Sequence, residues 1–222
     1  MRILAFDTTN STLSVALLQD QQILSKNTIL ESGKQAEMLI LEIEKILAEN
    51  KIWYQDLDLI AATQGPGSFT GVRIGLTTAR SLKIATNLPL ILINSLEALA
   101  FNHRNHRGEI FVAIDAKMDE FFIGSFLVQD GKITQLTESQ LVRQEDILNF
   151  LPSKNFLLCG SGKRIISEIL STRNTPFALN DDEVIEADAV GLLALEKFYS
   201  QKPQENFDPL YLREARITAR KK

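Results

Sequence analysis

Leu4-Ala5-Phe6-Asp7 and Val112-Ala113-Ile114-Asp115 are one pattern written twice, an apolar run that ends in aspartate before a turn. Further along, Leu18-Gln19-Asp20-Gln21-Gln22-Ile23 is answered by Val128-Gln129-Asp130-Gly131-Lys132-Ile133. The offset grows from 108 residues at Asp7 to 110 at Gln19, which places a two-residue insertion between them. Working outward from the first run, strands are expected at 2–7, 12–19 and 22–30, bounded by polar turns. A helix follows over 34–49, where Ala36, Leu39, Ile40, Ile43, Ile46 and Leu47 share one face. A strand at 57–62, a helix at 70–86, a strand at 90–93 and a short helix at 95–102 complete the first half. Around the second run the order repeats: strands 110–115, 120–129 and 132–137, a helix at 144–150, a strand at 156–159 and a helix at 162–171. A last helix is expected over 187–199, ended by Lys202-Pro203.

Agreement of topology and local sequence over most of each half favours duplication over chance. The fold class is therefore α/β, two similar β-β-β-α-β-α domains, with boundaries expected at 1–104 and, truncated, at 105–222. This doubled arrangement resembles the fold of actin, sugar kinases and heat-shock ATPases, in which two such domains clasp a nucleotide. The helices at 34–49 and 70–86 would cover the first sheet.

Composition narrows the function. At 222 residues, 45% hydrophobic and 23% charged, the chain is ordinary globular protein with enough length for a sizeable core. Its net charge of −4 argues against unaided binding of nucleic acid, which usually needs a basic face. One basic cluster, Arg213, Arg216, Arg220, Lys221 and Lys222, reads as a solvated end. A single cysteine, Cys159, rules out an internal disulfide and a thiolate metal cluster, and fits a reducing compartment. Charge arrives at Asp7, too early for a signal-peptide core, and no apolar run approaches the roughly 20 residues of a membrane helix. A cytoplasmic protein with no membrane partner is expected.

The densest motif is Gly65-Pro66-Gly67-Ser68-Phe69-Thr70-Gly71-Val72-Arg73-Ile74-Gly75. A glycine-rich loop that opens a helix presents free N–H groups and can cradle phosphate, with Ser68 or Thr70 as the cap. It lacks the Gly-Lys-Ser/Thr ending of a P-loop, so a tight strand-to-helix turn explains it equally well. Gly71, Gly75 and Ala79 recur every four residues and make one smooth helical face. Each interior glycine costs about 0.5–1 kcal/mol relative to alanine, so close packing must offset it. Packing on the chain's own sheet and packing on a partner helix both satisfy the spacing.

Asp7, followed by Thr8-Thr9-Asn10-Ser11-Thr12, can orient a metal–phosphate group, but these residue types also bond their own turn, and the turn is favoured. Asp115 has the same two readings. Gly160 and Gly162, in Cys159-Gly160-Ser161-Gly162-Lys163, can approach a nucleotide or form a second tight turn. Asp7, Gly65, Gly67, Gly160 and Gly162 are thus the candidate residual nucleotide contacts. His103 and His106 stand among Arg104 and Arg107 in what reads as a solvated linker, so no metal site is expected.

The opening Ile3-Leu4-Ala5-Phe6-Asp7-Thr8-Thr9, the glycine-rich stretch 65–75, Asp115-Ala116, and Leu210-Tyr211-Leu212-Arg213 together resemble the TsaB (YeaZ) family along the whole chain. That family is similar to a truncated paralogue of TsaD-type enzymes, which transfer a threonylcarbamoyl group to an adenosine beside the tRNA anticodon. Those enzymes hold a metal with a His-x-x-x-His pair after the strand that follows the glycine-rich helix. Here Ser95 and Leu99 stand in those places, so the resemblance implies no catalytic residue, no metal and no cofactor. Many family members carry a histidine near the start of the first helix, where this chain reads Ser32-Gly33-Lys34-Gln35-Ala36-Glu37.

The resemblance implies a non-catalytic subunit that pairs with a TsaD-type transferase as a heterodimer. A TsaE-type ATPase completes the complex, a homodimer forms through the same surface when the partner is absent, and tRNA is met only indirectly. The expected partner face comprises Ala36, Leu39, Ile40 and Ile43 of the first helix with Gly71, Ile74, Gly75, Thr78, Ala79 and Leu82 of the second. The alternative is an active ATP-dependent phosphotransferase or ATPase of the actin/sugar-kinase fold. A metalloprotease is disfavoured, since no His-Glu-x-x-His is present.

Overall fold

The computed structural model describes residues 1–171, 176–180, 183–200 and 207–212. The basic cluster at 213–222 and the helix stop at Lys202-Pro203 lie outside the described residues.

Strands β1 (Arg2–Asp7), β2 (Leu13–Gln19) and β3 (Gln22–Ile29) form an antiparallel meander, followed by helix α1 (Gln35–Glu49). Strand β4 (Leu59–Thr63), helix α2 (Phe69–Thr86), strand β5 (Leu90–Ile93) and helix α3 (Ser95–Phe101) follow. The strand order of this sheet is β3-β2-β1-β4-β5, with β4 and β5 parallel to β1. The second half runs β6 (Gly108–Lys117), β7 (Glu120–Gln129), β8 (Lys132–Gln135), β9 (Gln140–Arg143), a 3-10 turn over Gln144–Asn149, β10 (Phe156–Cys159), α4 (Lys163–Leu170), β11 (Phe177–Leu179) and α5 (Ala187–Ser200). Its sheet, β11-β10-β6-β7-β8, repeats the order of the first, which bears out the duplication read from the two Asp-ended runs.

Three differences from the sequence expectation have local causes. The strand expected over 132–137 is two pieces: β8 pairs with residues 126–129 of β7, and β9 pairs with 120–123. The expected helix at 144–150 is a 3-10 turn. β11 has three residues, too few for periodicity to register, and is fixed by parallel pairing with β10.

Strand alternation sorts the core into layers. Even residues of β1, Leu4 and Phe6, meet Leu39, Ile43, Val72 and Leu76 of α1 and α2, which cover the outer face as expected. Odd residues, Ile3 and Ala5, face inward to α3, α5 and the inner face of the second sheet at Ile110, Val112 and Phe126. The outer face of the second sheet, Phe111 and Phe156, is covered by Ile166 and Leu170 of α4.

Two close approaches fix this stack. α5, from the second half of the chain, lies on β1 and β2, where a Cβ on Gly191 would stand 2.5 Å from the Leu18 side chain. On the other side of the sheet, Gly67, Gly71 and Gly75 sit directly on the β1–β2 hairpin. A Cβ on Gly71 would collide with the Thr8 carbonyl, and one on Gly75 would stand 2.5 Å from the Thr8 hydroxyl. The Thr8 hydroxyl in turn donates to the Gly71 carbonyl at 2.8 Å, and the Ser68 N–H donates to the Thr9 carbonyl at 2.7 Å. The glycine spacing is thus explained by packing on the chain's own hairpin.

One measurable consequence is that Gly71→Ala lowers stability by about 3 kcal/mol or more, the upper range of over-packing costs, because backbone cannot rotate out of the way. Urea unfolding checks it against Thr77→Ala on the exposed side of the same helix, expected to stay within about 0.5 kcal/mol of the parent. Similar midpoints for the two variants would contradict the packing assignment.

Candidate functional site

Between the halves lies an open cleft of about 940 Å³, walled by residues 9–12 of the first hairpin, 67–74 at the start of α2, 114–117 of β6, Ser161 and the segment 210–212. Of the five candidate nucleotide contacts, Gly67 lies in this wall, and Asp7, Gly65, Gly160 and Gly162 lie outside it. Gly65 and Gly160 have φ of +97° and +94° and serve turns. Gly160 and Gly162 lie against the Ala113 carbonyl and the Phe121 ring, where a side chain would collide. Their loop is the tight-turn alternative: the Gly162 N–H donates to the Ala113 carbonyl at 2.9 Å.

Asp7 is sealed away from the cleft, at 0% exposure. Its Oδ1 accepts from the Thr63 hydroxyl at 2.5 Å, the Thr9 hydroxyl at 2.6 Å and the Thr9 N–H at 3.1 Å. Since the one hydroxyl proton of Thr9 goes to Asp7, the Ser95 hydroxyl donates to Thr9 across 3.0 Å. The turn reading of Asp7 therefore holds, extended into a buried network that ties β1, β4 and α3 together. Burial pushes the Asp7 carboxyl up to about 6 against the lowering effect of its Thr63 and Thr9 hydrogen bonds, and Oδ2 has no hydrogen-bond partner.

Asp115 takes a different course at the matching position. Burial pushes its carboxyl up, but hydrogen bonds and the charge of Lys117 more than reverse this, and it lies below its ordinary value. It accepts from the Lys117 N–H and ammonium, both at 2.7 Å, while its own N–H donates to Ser161 Oγ at 3.0 Å. Ser95 and Leu99, where the resemblance sets a metal-holding pair in TsaD-type enzymes, are both 0% exposed, the first bonded to Thr9 and the second in the core. His103 is also buried, a correction to the solvated-linker expectation: the chain continues α3 in tight turns there, and Arg104 lies 5.0 Å over the Phe101 ring. Cys159 is buried on the inner face of β10.

The second candidate surface is the outer layer of α1 and α2. Five of the ten expected interface residues, Leu39, Ile43, Gly71, Gly75 and Ala79, are buried against their own sheet and hairpin and are not surface residues of this chain. The other five stay accessible: Ala36 and Ile40 exposed, Ile74, Thr78 and Leu82 half-buried. The sequence pattern missed what surrounds them. Along α2 one outward stripe, Thr70, Ile74, Thr77, Thr78, Ser81, Ile84 and Ala85, carries no charge, with Ile84 83% exposed, and Arg73 and Arg80 lie beside it. α1 adds Ile40 at 43% and Leu41 at 55%. A signal was available in the run of small and apolar residues along one side of α2, where a solvated helix normally carries charge.

The chain matches a family model described as TsaD: tRNA N6-adenosine threonylcarbamoyltransferase, over residues 30–189. It is 32% identical over 179 residues to the tRNA threonylcarbamoyladenosine biosynthesis protein TsaB of Bacillus subtilis, covering 78% of each chain. The chain belongs to the TsaB family. YeaZ from Pseudomonas aeruginosa has the same structure at a TM-score of 0.84, with 26% identity and 95% and 99% of the two chains covered. The likeness to an inorganic polyphosphate/ATP-glucomannokinase from Arthrobacter, TM-score 0.52 at 14% identity over 90% of this chain and 99% of that one, identifies the fold as that of the sugar kinases. No described helix is long and apolar enough to cross a membrane.

The buried Asp7 makes stability depend on pH in a defined direction. Its folded value of about 6 exceeds the ordinary carboxyl value of 3.8, so its contribution is present at low pH and is lost as pH rises through about 6. The shift corresponds to an order of 3 kcal/mol. Asp7→Asn keeps the accepting oxygen and removes the charge, so the variant gains stability relative to the parent between pH 4 and pH 7, and the gain levels off above that. Denaturant unfolding across this range checks it; parallel pH profiles would exclude a titrating Asp7.

Proposed function

We propose that this TsaB-family chain is a non-catalytic subunit that binds and activates a TsaD-type threonylcarbamoyltransferase in the formation of threonylcarbamoyladenosine next to the tRNA anticodon. The observation that carries this reading is an exposed apolar patch on the outer layer, made by the uncharged stripe of α2 and by Ile40 and Leu41 of α1. Ile40, Leu41, Ile74 and Ile84 leave apolar area in water that a covering helix layer would remove. Thr77, Ser81 and Ala85 are small enough for that layer to come close. The contact face is therefore Ala36, Ile40, Ile74, Thr78 and Leu82, flanked by Leu41, Thr77 and Ile84. An isologous homodimer would reuse the same patch when the transferase is absent. A TsaE-type ATPase joins the complex, and tRNA is met through the transferase.

The absence of chemistry in this chain is supported by the same geometry. Ser95 and Leu99 offer a buried hydroxyl and a core side chain where the transferase family has metal ligands. The phosphotransferase alternative needs a carboxylate free to act at the cleft; Asp7 is sealed against Thr9 and Thr63, and Asp115, which lines the cleft, is paired with Lys117.

Transfer of threonylcarbamoyl from its adenylate to tRNA, measured with a TsaD-type transferase and a TsaE-type ATPase, tests the proposal. No transfer is expected from this chain alone, and activity should appear on mixing. Ile40→Glu with Ile74→Glu should abolish the stimulation by at least roughly tenfold while circular dichroism stays that of the parent, since burying two unpaired charges costs well over the 1.4 kcal/mol that a factor of ten represents. Glycine 71 or 75 would be a poor site for this test, because any side chain there strikes Thr8. Transfer or ATP turnover by the chain alone would overturn the reading in favour of an active enzyme.

A further inference from the structure

Phe207–Leu212 has no regular secondary structure, yet it is held along its whole length by α2 and by the loop that precedes it. The Arg80 guanidinium donates to the Phe207 carbonyl and pairs with Asp208 at 3.1 Å, and the Lys83 ammonium stands 5.4 Å over the Phe207 ring. The Leu210 N–H donates to the Gln64 carbonyl at 2.8 Å. Tyr211 stacks on Phe69 with ring centres 5.5 Å apart and accepts from Arg73 Nε at 3.1 Å, while the Arg73 guanidinium lies 3.8 Å over the Phe69 ring. Phe207 packs against the outer core and Leu212 against the inner one, so the segment passes from one side of the first sheet to the other.

We propose that Phe207–Leu212 is a releasable strap that couples the cleft to the outer face of α2. Leu210, Tyr211 and Leu212 form one wall of the cleft, and residues 207, 208 and 211 of the same strap hold the Arg73 and Arg80 flank of α2, beside its uncharged stripe. Whatever displaces the strap at one surface therefore removes contacts at the other. Release is within reach because the holding contacts are individually weak. The Arg80–Asp208 pair is exposed, with 42% and 75% of the two side chains accessible, and Phe69 and Tyr211 are 54% and 46% exposed. Segments with few buried contacts open locally without unfolding the domain. The loop under the strap is the path of the coupling. The Gln64 carbonyl takes the Leu210 N–H, the Gly65 carbonyl takes the Ser95 N–H at 2.9 Å, and four residues further on α2 begins. The statement about the outer face as a partner surface rests on the function proposed above; the strap itself does not.

Hydrogen exchange on the full chain tests this, comparing the parent with Arg80→Ala/Tyr211→Ala. The double variant should exchange roughly tenfold faster or more at residues 207–212 and 64–72, with the amides of β1, β4 and α5 unchanged. Tyr211→Phe, which keeps the ring stack and loses only the hydroxyl, should fall between the two. Unchanged exchange at 64–72, or acceleration spread evenly over the molecule, would overturn the coupling. With a TsaD-type transferase bound, as read by co-elution, exchange of the parent's strap should change by at least roughly fivefold; a bound partner that leaves the strap unaffected also overturns it. If the parent binds no transferase, the functional reading fails and the comparison in the free chain still decides the strap.

Discussion

The contact between the glycine face of α2 and the Thr8–Thr9 hairpin sets the geometry on which the rest of the chain depends. A helix of 18 residues lies on a β-hairpin with backbone nearly touching backbone, and no side chain can be inserted between them. This fixes the height of α2 above the sheet, and with it which residues point outward. It also leaves the hairpin no freedom to move toward the cleft. In an enzyme of the same fold a glycine-rich loop and an aspartate-ended strand would be kept open for phosphate. Here both are consumed in holding the first half together.

The buried network behind that contact follows the same logic. Asp7 gathers Thr9 and Thr63, and Thr9 gathers Ser95, so the ends of β1 and β4 and the start of α3 are joined by hydroxyl groups at distances of 2.5 to 3.0 Å. A carboxylate with no cation nearby is costly to bury, and the raised proton affinity of Asp7 is the measure of that cost. At the matching place in the second half, Asp115 is partly exposed and has Lys117 beside it, and its affinity moves the other way. Two aspartates that look equivalent in sequence have been given opposite electrostatic settings by their neighbours.

The proposed role as a bound subunit rests on the surface: the apolar patch formed by the uncharged stripe of α2 with Ile40 and Leu41 of α1. α5, α3 and the inner faces of both sheets form one hydrophobic cluster that joins the two halves.

Much of this was legible in residues. The alternation Ile3-Leu4-Ala5-Phe6, with every position buried on one face or the other, announces a central strand, and its echo at Val112 announces the second sheet. The spacing of Gly71, Gly75 and Ala79 announced close packing because glycine inside a helix has a cost that packing must offset. What the spacing left open was the identity of the neighbour, since a periodic face records that something lies against it and not what. Only the fold decided that Thr8 fills that place, that Ser95 binds Thr9, that α5 crosses to the sheet of the other half, and that Phe207–Leu212 runs beside α2. Each of these contacts joins residues far apart in sequence, through elements whose own periodicity is satisfied by any apolar surface of the right shape. Local patterns determine which faces must be buried; the meeting of distant segments in three dimensions determines against what.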